Sequence, residues 1–328
     1  MDKQRKKQRF TRCLGVVPTG STAGLRRART ERYAAACRLG SNKIFAEKAD
    51  WMMENIRRRE WVKDGENGWF NGYYDNNGRP VERCESGDVR MMLTGQVFAI
   101  MSGTAKKEQI KAICNSADKY LFDQKAGGYR LNTDFKEEKF DLGRMFGFAY
   151  GEKENGAVFS HMAVMYANAL YKQGFIKEGY KVLKTLLDTA MDFDRSRMYP
   201  GVPEYFDNDG RGLYSYLTGA ASWYMLTMIT SVYGVHGELG DFVIEPALMP
   251  QQYNEKGDAK VSLAFAGHGF DILVHNPDKL EPGEAHVKRA LCDDVKVENV
   301  TGNSVRIPKQ AIEMLSTDKC HTVEIYIE

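Results

Sequence analysis

The stretch YLTGAASWYMLTMITSVYGV, residues 216–235, marks the place where this chain changes from one kind of structure to another. Its apolar residues recur at the spacing of a helix face, which predicts a helix over about 216–233. After residue 240 apolar and polar residues alternate instead, as in DFVIEP (241–246) and TVEIYIE (322–328). That alternation is typical of strands. The sequence therefore predicts a mainly α protein with a C-terminal β unit.

Upstream of this point the apolar spacing is also helical, over 44–56, 89–105, 106–123, 161–172 and 183–190. Between these segments lie long polar and aromatic loops, such as WFNGYYDNNGRP (69–80) and YPGVPEYFDNDGRG (199–212). Loops held by a rigid scaffold commonly carry function. Short turns at one end and long loops at the other are typical of an α/α toroid, so residues 41–238 are predicted to form part of one. The strands of 239–328 predict a small antiparallel two-layer β-sheet domain.

Residues 1–40 do not resemble the remainder of the chain. The first 32 residues contain ten Lys and Arg against Asp2 and Glu31, and show no helix or strand period. Three explanations compete: a flexible basic arm, a transit-type peptide, or out-of-frame or fragment-derived sequence joined to a real domain. The third is favoured, for a reason given below.

The composition argues against several classes of protein. Forty-six basic side chains against 44 acidic ones argue against a general nucleic-acid or membrane-surface binder, and the apolar runs are too short for a membrane span. Six cysteines are scattered without a CxxC pair, which indicates free thiols rather than a zinc site or a disulfide framework. We therefore expect a cytoplasmic chain without a metal.

Four stretches carry a family resemblance: KENGAVFSHM (153–162), YPGVPEYF (199–206), the helix stretch 216–235 and FVIEPALMP (242–250). WFNGYYDNNG and MLTGQVFAIMSG (92–103) add a looser match. In order and spacing, over residues 42–260, they resemble glycoside hydrolase family 94, the cellobiose, cellodextrin and chitobiose phosphorylases. The resemblance implies an inverting reaction in which inorganic phosphate cleaves a β-linked glucosyl disaccharide or oligosaccharide, such as cellobiose, to an α-sugar 1-phosphate.

The resemblance assigns phosphate binding to His161, Thr218 and Gly219. A residue without Cβ lets an anion approach the backbone, and the start of a predicted helix favours negative charge. Phosphate is then a co-substrate, and no other cofactor is expected. The structural alternative is a core histidine together with a helix cap and a glycine selected for packing.

The resemblance also implies roles in sugar binding. Glu204 would hydrogen-bond the sugar in the leaving position, with Tyr205 beside it, whereas Glu154 and Asn155 would orient their loop. The alternative for Glu204 is a surface residue in a proline-bounded turn.

Aromatic residues of the 69–80 loop are further candidates for sugar contact. Trp69, Tyr73 and Asp75 are expected at the mouth of the site, with core or loop packing as an equal alternative for all three.

One family feature is missing from the expected place. The general acid lies in a Gly-Asp-Trp-Asn-Asp segment about sixty residues before the match to WFNGYYDNNG, and residues 1–40 contain no such segment. Asp50 is too near Trp69 to replace it. We therefore expect no catalytic acid in this chain, which is why residues 1–40 are interpreted as fragment-derived.

The resemblance implies that residues 41–238 are the C-terminal half of an (α/α)6 barrel, which would expose an apolar face, so a complementing N-terminal half is expected. Dimers are common in the family that the chain resembles, so a homodimer is the alternative. Two other functions stay open. One is an inverting hydrolase on the same scaffold, which needs two carboxyl groups roughly 6.5–9.5 Å apart. The other is a carbohydrate-binding protein without catalysis.

Overall fold

The computed structural model of the protein describes residues 42–85, 87–198, 201–215 and 219–328. It forms two compact units, one up to Tyr224 and one from Met225 to Glu328. The atypical segment predicted at 1–40 and the candidate phosphate ligand Thr218 lie outside the described residues.

Helices dominate the first unit, close to where the apolar spacing places them. Those described are α1 (Asn42–Arg59), α2 (Leu93–Met101), α3 (Lys107–Tyr120), α4 (Ser160–Lys172), α5 (Ile176–Met191), the short α6 (Phe193–Ser196) and α7 (Gly219–Thr227). A π-helical turn, Met228–Val232, follows α7. Among the described helices, the length and apolar character that a bilayer crossing requires are not found together.

Helix α4 lies at the centre of the first unit, packed against α2 and α5. Val164, Tyr166 and Leu170 on α4 are at most 1% exposed. Burying each such side chain contributes about 1.5–3 kcal/mol, so these contacts fix α4 firmly. The amphipathic α5 covers α4 with an apolar face made of Val182, Leu183, Leu186 and Ala190. The closure of such helices into an (α/α)6 toroid stays a prediction.

Short antiparallel strands occupy the long loops of the first unit. The pairs are β1 (Trp61–Asp64) with β2 (Asn67–Phe70), β3 (Arg83–Glu85) with β4 (Asp88–Arg90), and β5 (Phe122–Asp123) with β6 (Gly128–Tyr129). A three-stranded sheet contains β7 (Val158–Phe159), β8 (Tyr205–Phe206) and β9 (Gly212–Leu213), with β8 in the middle.

The second unit consists of two sheets. The first has the order β10–β11–β17–β16, from Val235–Glu238, Asp241–Ile244, Ser304–Ile307 and Val300–Thr301. The second has the order β12–β13–β18–β14–β15, from Asp258–Phe265, His268–His275, Cys320–Ile327, Val287–Cys292 and Val295–Lys296. Phe242 joins the two sheets, since its ring lies 4.5 Å from that of Phe265 and 4.7 Å from that of Phe270.

The predicted all-antiparallel arrangement is wrong at one pair of strands. β13 and β18 run parallel, from Gly269 opposite Cys320 to His275 opposite Tyr326. Parallel neighbours need a long crossover, which here consists of β14 to β17 and α8 (Lys309–Glu313). Alternating burial is the same in either direction, so the pattern alone does not reveal it. The first strand begins at Val235, two residues after the end of the helix predicted over 216–233.

Candidate functional site

The sheet β7–β8–β9 brings together three segments that are far apart in sequence. Phe159 on β7 lies opposite Tyr205 on β8, which pairs in turn with Leu213 on β9. Just beyond these strands, the backbone N–H of Ser160 donates to the carbonyl of Glu204 at 3.0 Å. The backbone directly before His161 is therefore hydrogen-bonded to the backbone of Glu204, so the two predicted residues are held near each other.

His161 and Gly219 are in direct contact. A Cβ added to Gly219 would lie 2.8 Å from Nδ1 and 2.9 Å from Cε1 of the His161 ring. Any side chain at 219 would therefore displace that ring. Gly219 is the first residue of α7 and is exposed, so its backbone and the imidazole meet at the start of a helix.

The His161 ring has an unused nitrogen. It is half-buried, 5.7 Å from the ring of Trp223, and its buried Nε2 has no hydrogen-bond partner within the described ranges. Burial lowers the pKa of His161 below its ordinary value of 6.5, so the ring is neutral at pH 7. A neutral imidazole offers one donor and one acceptor, and an unpaired buried polar atom costs about 1–3 kcal/mol. A ligand that pairs with Nε2 removes this cost.

Glu204 lies beside a lysine. Lys153 Nζ is 3.9 Å from Glu204 Oε2 and 3.9 Å from the centre of the Tyr214 ring. Contact with Tyr214 and the nearby charge of Glu204 raise the pKa of Lys153, which keeps it charged. Glu204 Oε2 is buried and accepts no hydrogen bond from the residues that the structure describes. This carboxylate is therefore positioned to accept a hydrogen bond from a ligand.

Lys153 and Tyr214 both have left-handed backbones, with φ of 45° and 63°. A non-glycine residue in this region costs of the order of 1–3 kcal/mol, and such strain is concentrated at functional sites. Lys153 contacts both the Tyr214 ring and the Glu204 carboxylate. Tyr205, its neighbour in sequence, is only 5% exposed, and burial raises its pKa to about 12.

A network of hydrogen bonds holds the loop that precedes β7. Asn155 Nδ2 donates to the Phe148 carbonyl at 2.9 Å, and its Oδ1 accepts from Asn132 Nδ2 at 3.2 Å. Asn132 Oδ1 accepts from the Gly156 N–H at 2.8 Å, and Arg130 Nη1 donates to the Gly156 carbonyl at 2.6 Å. Asn155 is therefore hydrogen-bonded within this loop, and its loop-orienting role stays a prediction.

The environment of the Glu154 side chain differs from that of its neighbour Asn155. It helps to line a pocket of about 180 Å³, and its buried Oε2 lacks a hydrogen-bond partner in the described part of the chain. Its Oε1 lies 3.5 Å from Arg144 Nη2. The other residues that line this pocket are Met92, Thr94, Leu131, Asn132, Met145, Phe159 and Met162. The pocket therefore has an apolar, thioether-rich wall with a carboxylate in it.

The three candidates of the 69–80 loop lie in different environments. Trp69 is 0% exposed, donates from Nε1 to the Arg90 carbonyl at 3.0 Å and packs edge-on against Tyr120. This is the packing alternative, and the ring has no free face for a sugar. Tyr73 packs instead against a buried cluster of Val81, Phe135, Leu142 and Phe146. Met92 and Met145, two of the pocket residues, pack against the same cluster. Asp75 caps its own loop by accepting from the N–H groups of residues 77 and 79.

Sequence reasoning did not identify Lys153, Asn132, Tyr214 or Trp223. Two of them left a signal: Lys153 directly precedes Glu154 in KENG, and Trp223 stands four residues after Gly219, on the same helix face. Asn132 and Tyr214 left none, because only the folded chain brings them to this loop and this strand.

Comparison with known proteins gives one family and several relatives. Residues 27–234 match the family described as the glycosyl hydrolase 94 superfamily, catalytic domain, so the match begins inside the segment 1–40. Cellobionic acid phosphorylase of Neurospora crassa is 28% identical over 75% of this chain and 33% of its own length. N,N'-diacetylchitobiose phosphorylase of Vibrio proteolyticus is 25% identical, over 81% of this chain and 32% of its length.

Solabiose phosphorylase of Paenibacillus borealis is 23% identical over 79% of this chain and 33% of its length. The chain thus spans about a third of the length of these curated relatives. Because the family match covers more than half of the residues, the chain belongs to the glycosyl hydrolase 94 superfamily.

Proposed function

We propose that this chain supplies the phosphate-binding side, and part of the sugar-binding side, of an inverting phosphorylase. The proposed reaction breaks a β-linked disaccharide or oligosaccharide such as cellobiose with inorganic phosphate, and releases an α-sugar 1-phosphate. The observation that carries the proposal is the contact between His161 and Gly219, beside an Nε2 that has no hydrogen-bond partner among the described residues. Family membership and relatives named as phosphorylases support it.

The phosphate site is proposed at His161 and the start of α7. The partial positive charge of the helix start and the absence of a side chain at Gly219 favour an anion there. Thr218, directly before Gly219 in sequence, is proposed as a further ligand through its hydroxyl. Hydrogen bonds to a charged phosphate contribute about 1.5–3 kcal/mol each, which is enough to order a dianion without a metal.

The sugar is proposed to lie between Glu204 and the pocket that contains Glu154. Both carboxylates have a buried oxygen that accepts no hydrogen bond within the described residues, and sugar hydroxyls are donors that satisfy such atoms. The apolar pocket wall suits the C–H face of a pyranose. Tyr73 and Tyr205 are proposed to support these walls.

The proposed chemistry needs one proton donor. A phosphate oxygen forms the new bond to the anomeric carbon while the bond to the glycosidic oxygen breaks, and that oxygen takes a proton from a carboxylic acid. We assign this acid to none of the residues of this chain. The contribution of the residues described here is to bind and orient the phosphate and the sugar.

The test is phosphate binding, followed by NMR of the histidine rings during a titration with inorganic phosphate. In the unaltered chain we expect the His161 ring resonances to shift and to saturate. Gly219→Ala places a methyl group 2.8 Å from Nδ1, so it should weaken phosphate binding by roughly tenfold or more.

Gly147→Ala is the matched control, because a Cβ at Gly147 meets nothing within 4 Å. It should bind phosphate as the unaltered chain does. If phosphate leaves the His161 resonances unmoved, or if Gly219→Ala binds as well as Gly147→Ala, the phosphate site is wrong. Sugar binding without phosphate binding would favour a hydrolase or a carbohydrate-binding protein.

A further inference from the structure

Glu82 is a carboxylate enclosed by the protein, outside the residues assigned above. It is 1% exposed and accepts three hydrogen bonds. Oε2 accepts from the Gly72 N–H at 2.5 Å, and Oε1 accepts from the Met92 N–H at 2.7 Å and from Gln96 Nε2 at 3.2 Å. One side chain therefore ties the loop after β2 to the first residues of α2.

A second buried carboxylate lies close to Glu82. Asn71 links the two, since its Oδ1 accepts from the Glu82 N–H at 3.1 Å and its Nδ2 donates to Glu60 Oε2 at 3.0 Å. Glu60 also accepts from Tyr74 Oη at 2.6 Å. Burial, with a smaller contribution from the charge of Glu60, raises the pKa of Glu82 to about 8.

The cations on neighbouring elements are engaged elsewhere. The charge of Arg59, at the end of α1, acts to lower the pKa of Tyr74. Arg90, at the end of β4, is paired with Asp88 and Glu137. Glu60 is thus the charged group whose field reaches Glu82, and that field favours the protonated form.

A continuous set of backbone and side-chain contacts leads from Glu82 to the candidate site. Met92, bonded to Glu82 through its N–H, pairs across a β-bridge with Asn132. Asn132 in turn bonds to Asn155 and Gly156, the two residues that directly follow Glu154. Met92, Asn132 and Glu154 all line the same pocket.

We propose that Glu82 is a positioning residue, whose gain or loss of a proton moves Met92 and with it the wall of the pocket that Glu154 lines. A carboxylate satisfies all three N–H donors that face it. A carboxylic acid can still accept from these donors, but its hydrogen bonds are no longer charge-assisted and are therefore weaker. None of the three N–H donors can accept its O–H, so protonation loosens the hydrogen bonds that hold Gly72, Met92 and Gln96. The proposal rests on the proposed function only because this pocket belongs to the same site.

The test uses the chain with ¹³C-methyl methionines and follows their NMR signals from pH 6 to pH 10 without any ligand. Met92 should shift with a midpoint near pH 8, and Met145 and Met162 should follow with the same midpoint and smaller amplitude. Met314, 85% exposed in the second unit, is the control and should not move. Because no phosphate is present, the outcome is independent of the phosphate site.

Two variants identify the titrating group. Glu82→Gln imitates the protonated acid, so its Met92 signal should stay at the low-pH position of the unaltered chain at every pH. Glu60→Gln removes the neighbouring negative charge and should lower the Met92 midpoint. A Met92 signal that does not titrate, a transition that persists in Glu82→Gln, or an unmoved midpoint in Glu60→Gln would each overturn the proposal. Should Glu82→Gln fail to fold, the unaltered chain and Glu60→Gln still decide.

Discussion

The two units of this molecule each contain a histidine with buried ring atoms, and the hydrogen bonding of the two rings differs. In the second unit His321 is 0% exposed, and both its ring nitrogens are used: Nδ1 lies 2.7 Å from Asp293 Oδ2, and Nε2 lies 2.7 Å from the Ser316 carbonyl. In the first unit His161 has a buried Nε2 without a hydrogen-bond partner in the residues described. A satisfied ring contributes to stability, whereas an unsatisfied one costs stability and is available to a ligand.

The same contrast extends to the residues around each ring. Asp293 accepts from Lys319, His321 and the Thr322 N–H, and these partners hold its pKa well below its ordinary value. In the candidate site of the first unit, Lys153 and Tyr214 have strained backbones. Glu154 and Glu204 there each have a buried oxygen that accepts no hydrogen bond from the residues described. The lesson is that partner count, and not burial alone, separates a structural histidine from a candidate binding residue.

The largest effect is expected from His321→Ala. It removes both ring contacts and leaves Asp293 with fewer partners, so the free energy of unfolding of the second unit should fall by about 2–4 kcal/mol. Urea unfolding followed by tyrosine fluorescence measures this, and phosphate binding by His161 should be unchanged. A loss as small as that of a surface substitution would contradict the idea that the hydrogen-bonded His321 ring stabilises the second unit.

A smaller loss is expected from Asp293→Asn, and it should depend on pH. Because the pKa of Asp293 is depressed below its ordinary value of 3.8, the carboxylate stabilises the fold above that pH, and this contribution is lost as the pH falls below it. The unaltered chain should therefore exceed the variant in stability at pH 7, and the difference should shrink towards pH 2. Parallel stability curves for the two proteins would contradict this.

His161→Ala should have the reverse profile. Phosphate binding should weaken by roughly tenfold to a hundredfold, since one charge-assisted hydrogen bond is lost. The free energy of unfolding should change little or rise slightly, because an unpaired buried nitrogen is removed. Calorimetric phosphate titration and urea unfolding of the same sample separate the two effects. A large loss of stability would place His161 with His321 as a structural residue.

The smallest effect concerns backbone strain. Lys136 is an exposed lysine of the same unit with φ of 52°, so Lys136→Gly should stabilise the chain by about 1 kcal/mol. Lys153→Gly relieves similar strain but loses the contacts with Glu204 and Tyr214, so its gain should be less than half as large. Equal gains in urea unfolding would show that those contacts contribute nothing.

The positions of helices and strands were more predictable from the sequence than the direction of the strands. Apolar spacing located α3 and α4 within three residues and the second half of α5, because a 3.6-residue period is a local property of the sequence. The alternation after residue 240 located most strands of the second unit. The direction of β18 beside β13 was not accessible, since parallel and antiparallel strands bury the same alternate residues.

The candidate site shows the same division. Motif order alone selected His161, Gly219, Glu204 and Glu154, which the structure places around one sheet and one pocket. Trp69 was selected by the same reasoning but lies fully buried, because a tryptophan beside glycine and asparagine has the same local appearance in a core and at a sugar site.

The sequence by itself determined the helical and strand periods, the position of the change between them and the residue types able to hold an anion. Those properties are local, and each is visible in a window of a few residues. Only the tertiary structure decided which polar atoms are left without a partner and how Glu82 is enclosed. Hydrogen-bond satisfaction depends on neighbours that are distant in sequence, and burial in a low-dielectric interior, which raises the pKa of Glu82, exists only once the chain has folded.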